Sequence, residues 1–162
     1  MKLSPTLARV QARMARGVLA RDGFLGADTR NLADIVAADA ETLAHLDVRA
    51  EDLGRALERL TEAALAALGG PSAVAGRYEV RAVEVMGRIP CPFGGCGLFP
   101  KAEVRGRRLD TGQELLWTPL GVHLIRAHGF FQGRGSPYRL EPKRLAEFLG
   151  LGGEQGERPG SG

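Results

Sequence analysis

The stretch CPFGGCGLFP, residues 91–100, carries both cysteines of the 162-residue chain. Glycine loses more backbone freedom in a helix than any other residue, so Gly94, Gly95 and Gly97 favour a turn here instead. Such a turn can point two thiols the same way. Downstream, GVHLIRAHG (121–129) supplies His123 and His128, two of the three histidines in the chain. Whether these two pairs meet decides how the C-terminal half folds.

The segment between the pairs reads as a hairpin. KAEVRGRRL (101–109) and ELLWTPL (114–120) are strand-like runs joined across DTGQ, where Gly112 can take the positive φ of a short loop. Upstream, RYEVRAVEVMGRI (77–89) alternates Tyr78, Val80 and Ala82 against Glu79 and Arg81, then reverses phase near Val83. That pattern predicts a strand of about eight to twelve residues containing a bulge. On the other side, Thr118 and Pro119 form a helix start, and Gly129 a helix stop, around both histidines. FFQGRGSPYRL (130–140) reads as a loop, and EPKRLAEFLG (141–150) as a last short helix opened by Pro142 and closed by Gly150.

Residues 1–70 read as three helices. Leu3, Leu7, Val10 and Met14 make one stripe, on a helix expected to end near Gly17 or Gly23. The second helix carries Leu32, Ile35, Val36, Leu43 and Leu46, with Asp28 or Thr29 as its expected cap. The third carries Leu53, Leu57, Leu60, Ala64, Leu65 and Leu68 and stops at Gly69-Gly70-Pro71. The fold class is therefore α+β, organised as a helical segment 1–70, a β-hairpin and metal-binding unit 77–150, and a flexible tail 151–162 that has little to bury.

Composition bounds the function classes. An apolar content of 44% with 25% charged residues suits a globular chain. No run approaches the roughly 18–20 apolar residues of a membrane helix, and Arg9, Arg13 and Arg16 interrupt the start where a signal peptide would be apolar. These features predict a cytoplasmic protein without membrane association, whose cysteines are thiols or ligands. Net charge is +3 overall, but residues 77–150 hold twelve Lys and Arg against seven Asp and Glu. The positive charge thus belongs to the segment with the cysteines and histidines.

Two thiols from a glycine turn and two imidazoles from a short helix are the donor types of a structural zinc site, which takes four such ligands in a tetrahedron. The arrangement over residues 88–130 resembles the two-Cys, two-His zinc modules. Its order of cysteine turn, hairpin and histidine helix is closer to a treble-clef finger than to the ββα finger. The resemblance implies one structural Zn2+ held by Cys91, Cys96, His123 and His128. Five steps along an ideal helix turn a side chain by about 140°, so the helix must tighten or end near His128 for both rings to face one point. Two other readings stay open. Cys91 and Cys96 could be small core residues, with His128 favoured by the helix dipole and His123 packed under the hairpin, or they could form a redox pair.

No catalytic residue is assigned. HExxH, GxSxG and a cysteine with a base and orienter are all missing, and four protein ligands would leave a metal no position for water. GRGSP (133–137) lacks the Gly-Lys-Ser/Thr ending of a phosphate loop. A basic face made of Lys101, Arg105, Arg107, Arg108 and Arg126 suggests DNA or RNA as partner of a non-enzymatic module. Trp117, Phe130, Phe131 and Tyr138 could supply stacking rings, although the small C-terminal unit needs large apolar groups for its core. The alternative is a protein-interaction adaptor whose helices in 1–70 dock a partner protein or a second copy of the chain. His45, alone on an Ala-rich helix, reads as a surface or boundary residue.

Overall fold

The computed structural model describes residues 3–152. Their elements are helix α1 Pro5–Arg13, helices α2 Leu32–Leu46 and α3 Ala50–Ala66, strands β1 Ser72–Val74, β2 Tyr78–Pro90, β3 Leu98–Arg108 and β4 Glu114–Trp117, and helices α4 Pro119–His128 and α5 Pro142–Leu149. The fold is α+β, and the described residues form five helices and one four-stranded antiparallel sheet of order β1-β2-β3-β4. Residues 153–162, in the stretch expected to be a tail, lie outside the described part.

Local chemistry explains most boundaries. Ser4 caps α1 by accepting the Leu7 N–H, and Thr118 caps α4 by accepting that of Gly121. Each takes one amide left without an intrahelical partner. The first helix ends at Arg13, before the expected Gly17. The cap of α2 is Asn31, which accepts the Asp34 N–H at 2.9 Å; it is neither Asp28 nor Thr29. Asp28 has other work, because its carboxylate accepts from the Arg30 guanidinium and from the Arg134 N–H.

In β2, Tyr78, Val80 and Ala82 are buried while Glu79, Arg81 and Val83 are exposed. Pairing with β3 slips between Glu84 and Arg88, which is the expected irregularity placed slightly further along. The strand is longer than expected, at 13 residues, and its distal part leaves Val85 and Met86 exposed. Beyond β3, the loop to β4 contains Gly112 at φ +76, and Arg107 faces Glu114 across the ladder. β1, which the sequence did not signal, adds a three-residue edge by pairing Ser72–Val74 with Val80, Glu79 and Tyr78.

Two apolar clusters hold these elements, and both draw on residues from each side of position 70. The larger packs Leu53, Leu57, Leu60 and Ala64 of α3 and Leu145 and Phe148 of α5 against Val80, Val104 and Trp117 of the sheet. Each fully buried Leu, Val or Phe contributes about 1.5–3 kcal/mol relative to an exposed one. Trp117 anchors this cluster. It is 1% exposed, its indole N–H donates to Thr61 Oγ1 at 2.8 Å, and it stands edge-on to Phe148. The smaller cluster joins Val10 of α1 and Met14 just after it, Phe24, Leu32 and Ile35, Leu120 and Leu124 of α4, Phe130 and Cys91. It therefore touches the predicted metal ligands directly, and the predicted core roles of Trp117, Phe130 and Phe131 match their burial.

Candidate metal centre

The turn from β2 to β3 is built so that both thiols face α4. Pro90 ends β2, the Gly94 N–H closes a turn onto the Cys91 carbonyl at 3.0 Å, and Gly94, Gly95 and Gly97 all take positive φ. Side chains other than Asn or Asp rarely adopt that conformation, which is why glycine suits these three positions. Arg13 of α1 fixes the turn from outside, donating through Nε to the Pro92 carbonyl at 2.7 Å. Both cysteines are free thiols.

Opposite the turn, α4 carries His123 on its interior and His128 as its last helical residue, before Gly129 at φ +60. Ending at His128 lets the second ring swing back toward the first. The two ring centroids are 5.2 Å apart, with planes near perpendicular at 81°. His128 Nε2 lies 3.6 Å from Cys91 Sγ and 3.6 Å from Cys96 Sγ. One donor atom from each of Cys91, Cys96, His123 and His128 falls within 4.8 Å of all the others. The four residues predicted from spacing are thus close enough to hold a metal ion, and no Asp or Glu belongs to the group.

The electrostatics of the pocket describe a site that disfavours bare charge. Burial pushes the Cys91 thiol up to about 11, with Cys96 adding to the effect. Burial also lowers the pKa of both imidazoles, helped by Arg126 at His123 and by His123 at His128. Neutral imidazole is the ligating form, and a bound cation would reverse the penalty on the thiolates. His123 Nε2 is buried with no hydrogen-bond partner, alone in this respect among the described side-chain nitrogens and oxygens. Native proteins pair nearly all such atoms, so an orphan here marks a missing partner.

Two aromatic residues of the site were not singled out in the sequence. Phe93, inside the cysteine turn, stacks on His128 with centroids 4.0 Å apart and planes 7° from parallel. Phe99 lies against His123 at 4.5 Å. Both hold ring orientation. Their signal was their position, two residues after Cys91 and three after Cys96.

The predicted basic face is only partly assembled. Lys101, Arg105 and Arg107 lie on the exposed side of β3, but Arg108 points inward, is 6% exposed, pairs with Asp110 and donates to the Glu147 and Phe148 carbonyls. Strand alternation forces this, since neighbours in β3 point to opposite faces. Arg126 is on α4, bound to Glu58 of α3, and belongs to no face with the other four. The exposed side of the ribbon also carries Glu79 opposite Arg107 and Glu103 beside Arg105. His45 is exposed, as expected.

A cleft of about 400 Å³ beside His123 is lined by Glu51, Glu58, Glu62 and Arg126, with Glu58 committed to Arg126. Comparison of the chain with protein-family models, with curated protein sequences and with solved structures gave no match in any of the three.

Proposed function

We propose that Cys91, Cys96, His123 and His128 bind one Zn2+ as a closed structural site, and that the protein is a non-enzymatic binding module stapled by that ion. The observation that carries this reading is the donor cluster itself. Zn–S bonds of about 2.3 Å and Zn–N bonds of about 2.0–2.1 Å set a tetrahedral S···N edge of about 3.5 Å. Both sulfur-to-His128 Nε2 separations are 3.6 Å. Thiolate with imidazole is the donor mixture that most often selects zinc among the divalent metals.

Four protein ligands fill a tetrahedron and leave no place for a reactive water, which supports a structural role. The cleft that His123 also lines carries Glu51, Glu58 and Glu62, and Glu58 is already bound to Arg126. Zn2+ would join the end of the long β2–β3 ribbon to both halves of a ten-residue helix, adding to the Phe93–His128 and Phe99–His123 ring contacts already between them. As for partners, carboxylates interleaved with Lys101, Arg105 and Arg107 dilute the field a polyanion would need, so the nucleic-acid reading loses ground to other ligands.

Elemental analysis of the purified protein tests the proposal. One zinc per chain is expected, lost in Cys96→Ser and in His128→Ala. A chain without stoichiometric metal, or variants that keep it, would remove the site.

A further inference from the structure

A second cleft, of about 420 Å³, lies away from the four metal donors, between the distal part of the β2–β3 ribbon and the loops at residues 20–24 and 132–138. Small-molecule sites run from roughly 300 to 1,000 Å³ and are mostly apolar, with a few polar groups that fix orientation. This cleft has that composition. Phe24, Val83, Val85, Ile89 and Leu120 supply apolar wall, and Val83 and Val85 are each 60% exposed, costly for apolar groups with nothing over them.

The polar group that matters is Gln132. It lines the cleft, is 3% exposed and sits at φ +71, a conformation a side chain of its type rarely adopts. Its surroundings enforce this. The Gln132 carbonyl accepts from Arg139 at 2.7 Å, and Arg139 is itself held by both oxygens of Asp39 at 2.9 and 3.0 Å. The side chain is oriented too, because the Ser136 hydroxyl donates to Gln132 Oε1 at 2.5 Å. That leaves the amide nitrogen, which donates to no described residue and is not sealed from the cleft. Backbone strain kept by a dense network around an unspent donor is the signature of a binding position.

The wall behind Gln132 is preformed. Gly133 N–H donates to the Phe24 carbonyl at 2.9 Å, Ala27 N–H to the Arg134 carbonyl at 2.9 Å, and Gly133 packs so closely on Leu25 that a Cβ would collide with its backbone. On the facing ribbon Lys101 lines the cleft, and Glu103 accepts from the Tyr138 hydroxyl at 2.9 Å and lies beside Arg105. Arg21 and Asp22 also line it, adding one charge of each sign. The Gln132 amide and Lys101 thus stand as a donor and a cation over apolar walls.

The geometry points to a binding site for a small amphipathic carboxylate, its oxygens on the Gln132 amide and Lys101 and its apolar body between Val83, Val85, Ile89 and Phe24. The inference goes beyond the metal reading and does not depend on it, since none of these groups is a metal ligand. Sodium octanoate, octylammonium chloride and octanol are the probes, titrated into the full-length 15N-labelled protein as purified. Octanoate is expected to give saturable amide shifts at Phe24, Lys101 and Gln132 with a Kd of roughly 1 mM or below. Octylammonium and octanol should each bind at least about tenfold more weakly. Gln132→Leu should weaken octanoate about tenfold, the value of one good hydrogen bond. Lys101→Ala and Val85→Asp change exposed positions; the first should weaken octanoate about threefold and the second should abolish binding. No saturable shift up to about 10 mM octanoate overturns the proposal, as do equal affinities for octanoate and octylammonium, or undiminished binding by Val85→Asp.

Discussion

Replacing His123 by leucine should reverse the sign of its effect on stability according to whether metal is present. The buried Nε2 has no protein partner, and a buried polar atom left unpaired costs about 1–3 kcal/mol. Leucine has a similar volume and no such atom. In chelator, therefore, His123→Leu should stabilise the chain by about 1–2 kcal/mol once some loss of its contact with Phe99 is allowed for. With metal the balance changes. A ligand that binds only the folded chain adds about 4 kcal/mol at a thousand times its Kd. Losing one of four ligands removes most of that, so the net effect becomes a destabilisation of about 2–3 kcal/mol. For a chain of 162 residues, 1 kcal/mol moves Tm by about 2–4 °C. The expected shifts are thus roughly −4 to −12 °C with zinc and +2 to +8 °C with chelator.

Thermal unfolding followed by circular dichroism, with both proteins in equimolar zinc and in excess chelator, measures this directly. A variant stabilised in both conditions would mean that His123 never meets a metal. One destabilised equally in both would make it a packing residue. Either result refutes the reasoning from the orphaned nitrogen.

Two further outcomes test other parts of the structure. Gly54 lies inside α3, where alanine would ordinarily gain about 1 kcal/mol, but its Cβ would sit 2.5 Å from Arg126 Cβ and 2.8 Å from Arg126 Cα. Gly54→Ala should instead destabilise by about 2 kcal/mol or more in chemical denaturation, and a gain in stability would deny the close approach of α3 to α4. Asp28, with a side chain 2% exposed, is held well below its ordinary value of 3.8 chiefly by its hydrogen bonds from Arg30, with the Arg134 N–H also lowering it. A depressed carboxyl contributes stability above its unfolded value and loses it as pH falls toward the folded one. The Tm of the parent chain should therefore fall more steeply below about pH 4 than that of Asp28→Asn, and parallel slopes would contradict the pairing.

What could be read from the sequence was local. The ends of α4 and α5 follow from Thr118, Pro119, Gly129, Pro142 and Gly150, each acting within a turn of the helix it bounds. The metal donors were legible because thiol and imidazole are rare in this chain, and chance seldom sets two pairs around one hairpin. The errors came from longer range. Asp28 looks like a helix cap until Arg134, over a hundred residues away, competes for its carboxylate. Arg108 looks like part of a basic run until strand alternation turns it inward onto the end of α5. Gln132 gave no sign at all, since its strain and its burial both depend on Arg139, Asp39 and Ser136 meeting in space.

The smaller cluster shows why a cation suits this particular corner. Besides Leu32 and Ile35 of α2, it is walled by a nine-residue helix and a ten-residue helix, both shorter than the roughly 12–15 residues that make an isolated helix even marginal in water. At its edge, where more leucine or phenylalanine would have strengthened it, the chain puts two thiols and two imidazoles. Left bare, that choice is unfavourable several ways: an unpaired buried nitrogen, a thiol held protonated to about 11, and three glycines whose flexibility must be lost to form the turn. Apolar packing would carry none of these penalties. One cation removes the first two together and ties the glycine turn to the helix that Gly129 ends, so the same four residues that weaken the corner when empty become its strongest bond when filled.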